Sequence, residues 1–283
     1  MILGVLGGSG LYDLDGLSEP RTEEVSTPYG APSAPIASGR IGSVRLLFLP
    51  RHGRGHRYSP SEINYRANVF ALKALGAERV LSVSAVGSLR EGLAPGDFVL
   101  PDQFIDKTFK RAATFFGDGV VGHVGFADPT CAEFGAAVAA AAGAGGRRVH
   151  RGGTYVCMEG PQFSTRAESQ LHRSWGADVI GMTGATEAKL CREAEVCFAS
   201  LALVTDYDAW HADEAAVSVE AVVAVLRANV AGAQEIIRRL GDHVAGVGPC
   251  TCARAAAHAV ITAPDAISAE ARGRLRLLHG RDP

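Results

Sequence analysis

One apolar segment constrains the fold of this chain more than any other. Residues 196–204 are almost entirely apolar, and Asp206 and Asp208 follow at once. A continuous apolar run of this length predicts a strand buried on both faces, as in the central sheet of an α/β protein. Ligands of such proteins bind beyond the carboxyl ends of the strands. We therefore expect both carboxyl groups to lie in a binding site, where an apolar wall raises the pKa of a carboxylic acid.

Strand-like and helix-like segments alternate along the rest of the chain. This alternation predicts an α/β fold with a largely parallel or mixed sheet and helices on its faces. Apolar residues at helical spacing predict one helix that begins near Ser61 and ends at Gly76, and a long one from Val217. No stretch resembles an interdomain linker, so residues 1–283 are expected to form a single domain. The predicted strands are residues 2–6, 44–49, 80–84, 98–100, 155–157, 179–182 and 196–204, and the other predicted helices are residues 134–146, 165–175, 185–195 and 268–278.

The composition argues against several classes of partner. The 283 residues are 47% hydrophobic and 20% charged, with a formal net charge of −2. No basic stripe marks a surface for nucleic acid or for an anionic membrane. No apolar run approaches the roughly 18 residues that a membrane helix needs. We therefore expect a protein that binds neither nucleic acid nor membrane.

The six cysteines indicate a reducing compartment, and their spacing does not indicate a metal site. Most are expected as small core residues in a reducing cytosol, which places the protein in the cytoplasm. Cys250 and Cys252 lie closer in sequence than a zinc-binding pair normally does, and no second Cys/His pair has matching spacing. A disulfide bond between these two residues is left open.

Three segments at or after predicted strands contain groups suited to an anion. Ser9 lies in a glycine-rich segment whose amides can approach a phosphate, although its glycines lack the spacing of a dinucleotide-binding motif. Arg51 offers a fork of N–H donors that fits phosphate, and His52 can donate a further hydrogen bond. Ser84 and the amide of Ala85 form the third group. Tight turns or a solvated basic loop are the alternatives, but the strand leading directly into Arg51 favours an anion site.

Other strand ends suit an organic ligand. Phe163 precedes a helix-start signature and either points its ring into a pocket or packs as a hydrophobic staple. Met182 can pack under a sugar ring, although a methionine near a strand end is more often a core residue, and Thr183 can reach an anion. A protonated Asp206 or Asp208 can donate to a basic ring nitrogen, and an ionised one can accept from an exocyclic amine. This pair of roles suits an aminopurine.

Seven motifs in a fixed order identify a resemblance. They are GGSGL at residues 7–11, RHGRGH at 51–56, NYRANVFALK at 64–73, SAVGSLREGLAPGDFVLPDQFID at 84–106, EGPQFSTRAES at 159–169, GMT at 181–183 and TDYDAW at 205–210. Across residues 2–240 the chain resembles the 5′-methylthioadenosine phosphorylases of the trimeric purine nucleoside phosphorylase family. The resemblance implies the nucleoside phosphorylase fold, in which a central mixed, partly barrel-like sheet is flanked by helices.

The resemblance also implies a reaction and its site. It implies a pentosyltransferase of purine and methionine salvage that uses inorganic phosphate as co-substrate, without a cofactor. The implied assembly is a homotrimer, and the implied catalytic groups are a protonated Asp206, which donates to N7 of the leaving adenine, and Asp208. The implied phosphate site consists of Ser9, Arg51, His52, Ser84, Ala85 and Thr183; the purine and ribose contacts are Phe163, Ser164, Met182, Asp206 and Asp208; the 5′-thiomethyl pocket consists of His56, Val219, Val222, Val223 and a neighbouring subunit's His123.

Two positions indicate which base the site accepts. Relatives that act on 6-oxopurines usually have Glu in place of Ser164 and Asn in place of Asp206, so the resemblance implies a 6-aminopurine. A carboxyl group also matches an N6 amine plus N7 better than an amide does. Gly181 replaces a side-chain amide of some relatives. Residues 181–184 also resemble those of methylthioinosine phosphorylases, which leaves a methylthioinosine phosphorylase or a broader purine nucleoside phosphorylase as alternatives. A nucleoside hydrolase and a non-catalytic nucleoside-binding protein are alternatives of other classes.

Overall fold

The fold is a mixed sheet covered by helices. The computed structural model describes residues 1–8, 11, 17–146, 148–211, 219–244, 246–248 and 250–282, except for the side chains of residues 219–221 and 224. The strands are β1 (Ile2–Gly7), β2 (Ser18–Glu23), β3 (Ile36–Ile41), β4 (Val44–Pro50), β5 (Arg79–Ser88), β6 (Phe98–Leu100), β7 (Gln103–Asp106), β8 (Val149–Arg151), β9 (Thr154–Cys157), β10 (Val179–Gly181) and β11 (Cys197–Asp206). The helices are α1 (Tyr65–Ala74), α2 (Ala132–Ala144), α3 (Arg166–Ser174), α4 (Gly184–Glu193), α5 (Val219–Val244) and α6 (Ala269–His279).

All these strands belong to one 11-stranded sheet that branches at β5. Strands β4, β1, β5 and β11 are parallel neighbours in that order, so their carboxyl ends share one edge. Strand β10 also pairs with β5, but in the antiparallel direction, and continues the sheet through β9 to β7. The predicted mixed sheet is therefore confirmed. That residues 1–283 form one domain stays a prediction.

Helices cover both faces of the sheet, as the alternation predicted. Successive strand residues point to opposite faces. On one face, Leu201 and Leu203 of β11 pack with the apolar residues of α2 and α5. On the other face, Phe198 packs with the apolar residues of α1, α4 and α6. Burial on both faces explains why β11 reads as a continuous apolar run.

The seven predicted strands exist, but four strands were missed. Strand β2 is polar and largely exposed, β3 contains Ser, Gly and Arg, and β7 and β8 are short and partly polar, so none of the four shows a continuous apolar pattern. Helix α1 begins at Tyr65 rather than near Ser61, because the side chain of Asn64 caps it by accepting from the Ala67 amide over 3.2 Å. The predicted start of the long helix at Val217 lies outside the described residues. Over the part of the chain described here, no helix has both the length and the apolarity to cross a membrane.

Candidate active site

Parallel strand ends gather the predicted site residues at one edge of the sheet. Arg51 directly follows β4, and β4 and β5 flank β1 on its two sides. Ser84 and Ala85 lie in β5 beside the last part of β11. Asp206, at the end of β11, pairs with Gly87 of β5 after a bulge. The phosphate and base groups expected from the sequence therefore border the same edge.

Protein acceptors occupy most of the guanidinium of Arg51. Its Nε donates to Glu187 Oε1 over 2.6 Å, and its Nη1 donates to the Val83 carbonyl over 2.7 Å. Its Nη2 donates to the Leu6 carbonyl over 2.8 Å and to Ser82 Oγ over 2.9 Å. Only one hydrogen, on Nη1, then lacks an acceptor among the described residues. The free two-pronged fork expected from the sequence is therefore not available in this structure, and Arg51 is a buried positive charge.

His52 donates a hydrogen bond to the protein backbone, which leaves only its second ring nitrogen to face an anion. Its Nδ1 lies 2.8 Å from the Tyr58 carbonyl, and because a carbonyl can only accept, Nδ1 bears the proton. Burial, aided by the charge of Arg51, lowers the pKa of His52 from 6.5 to about 4, so the ring is neutral at pH 7. Nε2 can then accept a hydrogen bond from a protonated phosphate oxygen. The ring also stacks on that of His56, with centroids 4.1 Å apart.

Two hydroxyl groups and a helix terminus suit an anion. Ser84 Oγ is buried and has no hydrogen-bond partner among the described residues, a state that calls for a ligand or water. Thr183 is buried at the N-cap of α4, yet its side chain makes no capping hydrogen bond. A helix N-terminus offers free N–H groups and the positive end of the helix dipole. Burial raises the pKa of the Tyr155 hydroxyl. Ser84 and Thr183 lie close enough to this hydroxyl to oppose part of that rise.

Asp206 and Asp208 form a carboxyl pair at the end of β11. The Asp208 amide donates to Asp206 Oδ1 over 2.8 Å, and Thr205 Oγ1 lies 2.7 Å from Asp206 Oδ2. Desolvation raises the pKa of Asp206 above its usual 3.8, and the nearby charge of Asp208 adds to this effect. Asp208 is 8% exposed, and its Oδ2 has no partner among the described residues. One carboxyl group is therefore biased toward its acid form, while the other leaves an unused oxygen.

Glycine at two positions makes room for this pair and its surroundings. A Cβ on Gly87 would lie 3.0 Å from Asp206 Oδ1 and 3.2 Å from Asp208 Cβ. A Cβ on Gly181 would collide with the Tyr155 hydroxyl and lie 2.7 Å from Tyr155 Cζ. The side-chain amide that some relatives have at this position is therefore excluded here by Tyr155.

The segment around α3 supplies the remaining base and ribose residues. Thr165 and Glu168 form the predicted capping box, which fixes the start of α3. Phe163 is 43% exposed, so it is not packed as a hydrophobic staple and its ring is accessible to a ligand. Ser164 is partly buried. A Cβ on Gly160 would lie 2.5 Å from Met182 Sδ, so Met182 is held against the segment that leads to Phe163.

Arg111 is a site residue that the sequence analysis missed. Its guanidinium donates to the carbonyl of Met182 and, over 2.7 Å, to that of Glu159. Its side chain is 1% exposed, and its guanidinium lies 5.5 Å from the centroid of the Tyr65 ring. Arg111 therefore fixes the backbone at Met182 through its hydrogen bond to the Met182 carbonyl. It follows β7, a strand that was not predicted, so its basic segment had no strand end to mark it.

The residues expected at the 5′ end of the substrate are only partly described. Ser9, expected at the phosphate, and the side chain of Val219 lie outside the described residues. Val222 is partly buried, and Val223 is 37% exposed at the start of α5. His56 and His123 are exposed.

Comparisons with known proteins agree with this geometry. Residues 2–240 match the model of the phosphorylase superfamily. The S-methyl-5′-thioadenosine phosphorylase of Geobacter sulfurreducens is 55% identical over 99% of this chain and 98% of its own length. The crystal structure of a methylthioadenosine phosphorylase from an antarctic soil metagenomic library superposes with a TM-score of 0.93 at 48% identity, covering 98% of both chains.

A second solved structure contains a nucleoside. It is a single-residue mutant of the adenosine/methylthioadenosine phosphorylase of Schistosoma mansoni in complex with methylthioadenosine, with a TM-score of 0.80 and 38% identity over 86% of this chain and 92% of that one. Sequence, fold and the arrangement of strand-end groups therefore agree. This chain belongs to the phosphorylase superfamily, among its S-methyl-5′-thioadenosine phosphorylases.

Proposed function

We propose that this chain catalyses the phosphorolysis of S-methyl-5′-thioadenosine to adenine and 5-methylthioribose 1-phosphate. The observation that carries the proposal is the pair of Asp206 and Asp208 beside the anion-binding groups of β5 and α4. The base and the phosphate would then lie on either side of the scissile glycosidic bond. The relatives and the nucleoside complex support the same reaction.

Phosphate serves as nucleophile and as counter-charge. Cleavage of a glycosidic bond develops positive charge on the sugar. The hydroxyl groups of Ser84 and Thr183 and the N-terminus of α4 would hold the phosphate dianion, with the buried charge of Arg51 beneath it. A phosphate oxygen then forms the new bond to C1′ as the bond to the base breaks. Inorganic phosphate is consumed as co-substrate, and the proposed reaction needs no cofactor.

Asp206 stabilises the departing base. The leaving adenine gains electron density, and an acid that donates to N7 lowers the barrier to its departure. The raised pKa of Asp206 shifts the carboxyl group toward the acid form needed for this donation. The unpartnered Oδ2 of Asp208 would accept from the N6 amine. The two carboxyl groups thus take one donor and one acceptor role, which an aminopurine matches.

The remaining contacts define the ribose and its substituent. Met182 would pack under the ribose, and Phe163 and Ser164 would contact the purine. Val222 and Val223, at the start of α5, would line an apolar pocket for the methylthio group, with His56 nearby. His123 would come from a neighbouring subunit of a homotrimer. This assembly would act in the cytoplasm, in purine and methionine salvage.

A second candidate is a methylthioinosine phosphorylase, because the segment that begins at Gly181 resembles the same segment of those enzymes. Tyr155 fills the space beside Gly181, however, so the absence of a side-chain amide there has a packing reason that does not concern the base. Asp206 and Asp208 also match a 6-amino group better than a 6-carbonyl group. The aminopurine is therefore preferred.

Initial rates on four nucleosides test the proposal. Methylthioadenosine, adenosine, methylthioinosine and inosine are each incubated with the purified protein, with and without phosphate. We expect phosphate-dependent base release that is fastest from methylthioadenosine. Faster release from the inosine compounds would overturn the assignment of the base, phosphate-independent release would indicate a hydrolase, and binding without turnover would indicate a nucleoside-binding protein.

A further inference from the structure

Four cysteines from three separate segments of the chain meet at the opposite end of β11 from the proposed active site. They are Cys131, Cys197, Cys250 and Cys252, and their Sγ atoms all lie within 4.8 Å of one another. Cys131, Cys197 and Cys252 are buried, and Cys250 is partly buried. Sequence spacing predicted no metal site because only two of the four are close in the chain; the fold brings in the other two.

The arrangement of the thiols fits a single ion. Zinc binds thiolates at about 2.3 Å, so the sulfur atoms of a tetrahedral site lie about 3.8 Å apart. Two independent disulfide bonds would require closeness only within each pair. Here all four sulfur atoms lie within 4.8 Å of one another, and the 2.9 Å between the Sγ atoms of Cys197 and Cys250 is longer than the roughly 2.05 Å of a disulfide bond. We propose that Cys131, Cys197, Cys250 and Cys252 bind one zinc ion as a closed structural site.

Positive charge surrounds this cluster. Four thiolates and one Zn²⁺ have a net charge of −2, which the protein must accommodate. Arg79 pairs with Cys197 across β5 and β11 and is 7% exposed. Its Nη2 donates to the Val247 carbonyl over 3.1 Å, and its Nε has no hydrogen-bond partner among the described residues. An anionic zinc site would compensate this buried charge.

Groups next to the cysteines also favour thiolates. Arg192 Nη1 lies 3.9 Å from Cys252 Sγ. Cys131 is the N-cap of α2 and forms no side-chain capping hydrogen bond. A helix N-terminus stabilises a thiolate at this position. Glu133, 3.3 Å from Cys131 Sγ, is exposed, so its carboxylate can turn away when the thiol loses its proton.

The site would fasten the chain after α5 to the sheet. Zinc binding releases the thiol protons and joins the start of α2, the start of β11 and the turn at Thr251–Arg254. Cys197 and Asp206 are the two ends of a ten-residue strand, so roughly 30 Å separate the cluster from the carboxyl pair. The proposed ion therefore stabilises the fold and takes no part in the reaction.

Metal analysis of the protein purified under reducing conditions tests the proposal. We expect about one zinc per chain, and a tetrahedral sulfur-ligated spectrum when cobalt(II) replaces zinc. Cys252→Ser should lose most of the zinc and lower the melting temperature, while kcat/KM stays within about twofold. Cys191→Ser, which removes a buried thiol outside the cluster, should keep the full zinc content.

Three outcomes would overturn the proposal. They are a metal-free chain with four reduced thiols after exposure to zinc, disulfide bonds among these cysteines in mass spectra of the native protein, and zinc content that survives Cys252→Ser. The cobalt spectrum and the zinc content of the unmodified protein decide the question even if the variant does not fold. The zinc site is independent of the proposed reaction. A protein that lacks the proposed activity should therefore still contain zinc.

Discussion

The carboxylate of Glu187 and the guanidinium of Arg51 form a fully buried ion pair directly beneath the proposed phosphate site. The two side chains are each 1% exposed, and Nε and Oε1 are 2.6 Å apart. Ser82 Oγ also donates to Glu187 Oε2 over 2.5 Å. Because Glu187 lies in the first turn of α4 and Arg51 follows β4, the pair links the helix terminus to the strand edge. Both anion-binding elements are thereby fixed relative to each other.

Glu187→Gln should destabilise the protein strongly. The substitution leaves the charge of Arg51 buried without its partner, which costs about 3–5 kcal/mol. We also expect a larger rise in KM for phosphate than for the nucleoside, because Arg51 and α4 lose their common anchor. Chemical denaturation and steady-state kinetics measure the two effects. Glu235→Gln is the matched control, since the exposed pair of Glu235 and Arg239 has the same 2.6 Å separation, and solvent screening should leave it almost no contribution to stability. Equal effects of the two variants would contradict this account.

Gly181→Ala should destabilise the site through Tyr155. The added methyl group collides with the Tyr155 ring, and overpacking of this kind costs about 1–3 kcal/mol. We expect a lower melting temperature and weaker phosphate binding, because Ser84 and Thr183 adjoin the same ring. In the control Gly143→Ala, nothing lies within 4 Å of the new methyl group, and the substitution in α2 should be neutral or stabilising. A Gly181→Ala variant as stable as the unmodified protein would show that Tyr155 does not restrict this position.

His52 should make folding stability depend on pH. Its pKa falls from 6.5 to about 4 on folding, so the folded state resists protonation. The free energy of unfolding is therefore highest above pH 6.5 and decreases as pH falls toward 4, because the unfolded chain takes up the proton first. The total decrease is at most about 3 kcal/mol. In His52→Asn, the amide can replace the Nδ1 donor to the Tyr58 carbonyl, so the loss between pH 7.5 and 5 should shrink. Denaturation curves at both pH values measure it, with the exposed His258→Asn as control. An unchanged pH slope in His52→Asn would remove His52 as its source.

Asp206→Asn should change the base specificity without unfolding the site. The Asn carbonyl can accept from the Asp208 amide, and its NH₂ can donate to Thr205 Oγ1, whose own proton can go to the Val86 carbonyl 3.2 Å away. Loss of the acid should lower turnover of methylthioadenosine by about 100-fold or more. Methylthioinosine should lose less, because an amide serves a 6-carbonyl group and N7.

The pH profile gives a second readout for Asp206. In the unmodified protein, kcat should decline as pH rises through the raised pKa of Asp206, since the acid form disappears. This decline should be absent in Asp206→Asn. Near-full turnover of methylthioadenosine by the variant would remove Asp206 from the role of acid.

Sequence reasoning located the strand ends because burial leaves a clear pattern. The apolar run of β11 and the carboxyl groups after it predicted both the central strand and the base site, and the capping box at Thr165 predicted the start of α3. The polar edge strand β2 was missed because an exposed strand needs no apolar alternation.

Three-dimensional partners account for what the sequence did not reveal. An arginine at position 51 suggested a guanidinium with free N–H donors, but Glu187, 136 positions away, accepts a hydrogen bond from its Nε. His52 was expected to donate to an anion, but its Nδ1 proton goes to the nearby Tyr58 carbonyl and burial keeps its ring neutral. Arg111 and the four-cysteine cluster depend on contacts between distant segments, which spacing along the chain cannot predict.

The most direct test identifies the sugar product formed from methylthioadenosine in the presence of inorganic phosphate. Phosphorus NMR of the reaction mixture distinguishes a sugar phosphate from unreacted phosphate, and adenine is quantified in the same sample. This account predicts one 5-methylthioribose 1-phosphate for each adenine released, and no adenine when phosphate is omitted. Adenine released together with free methylthioribose, or at the same rate without phosphate, would contradict it.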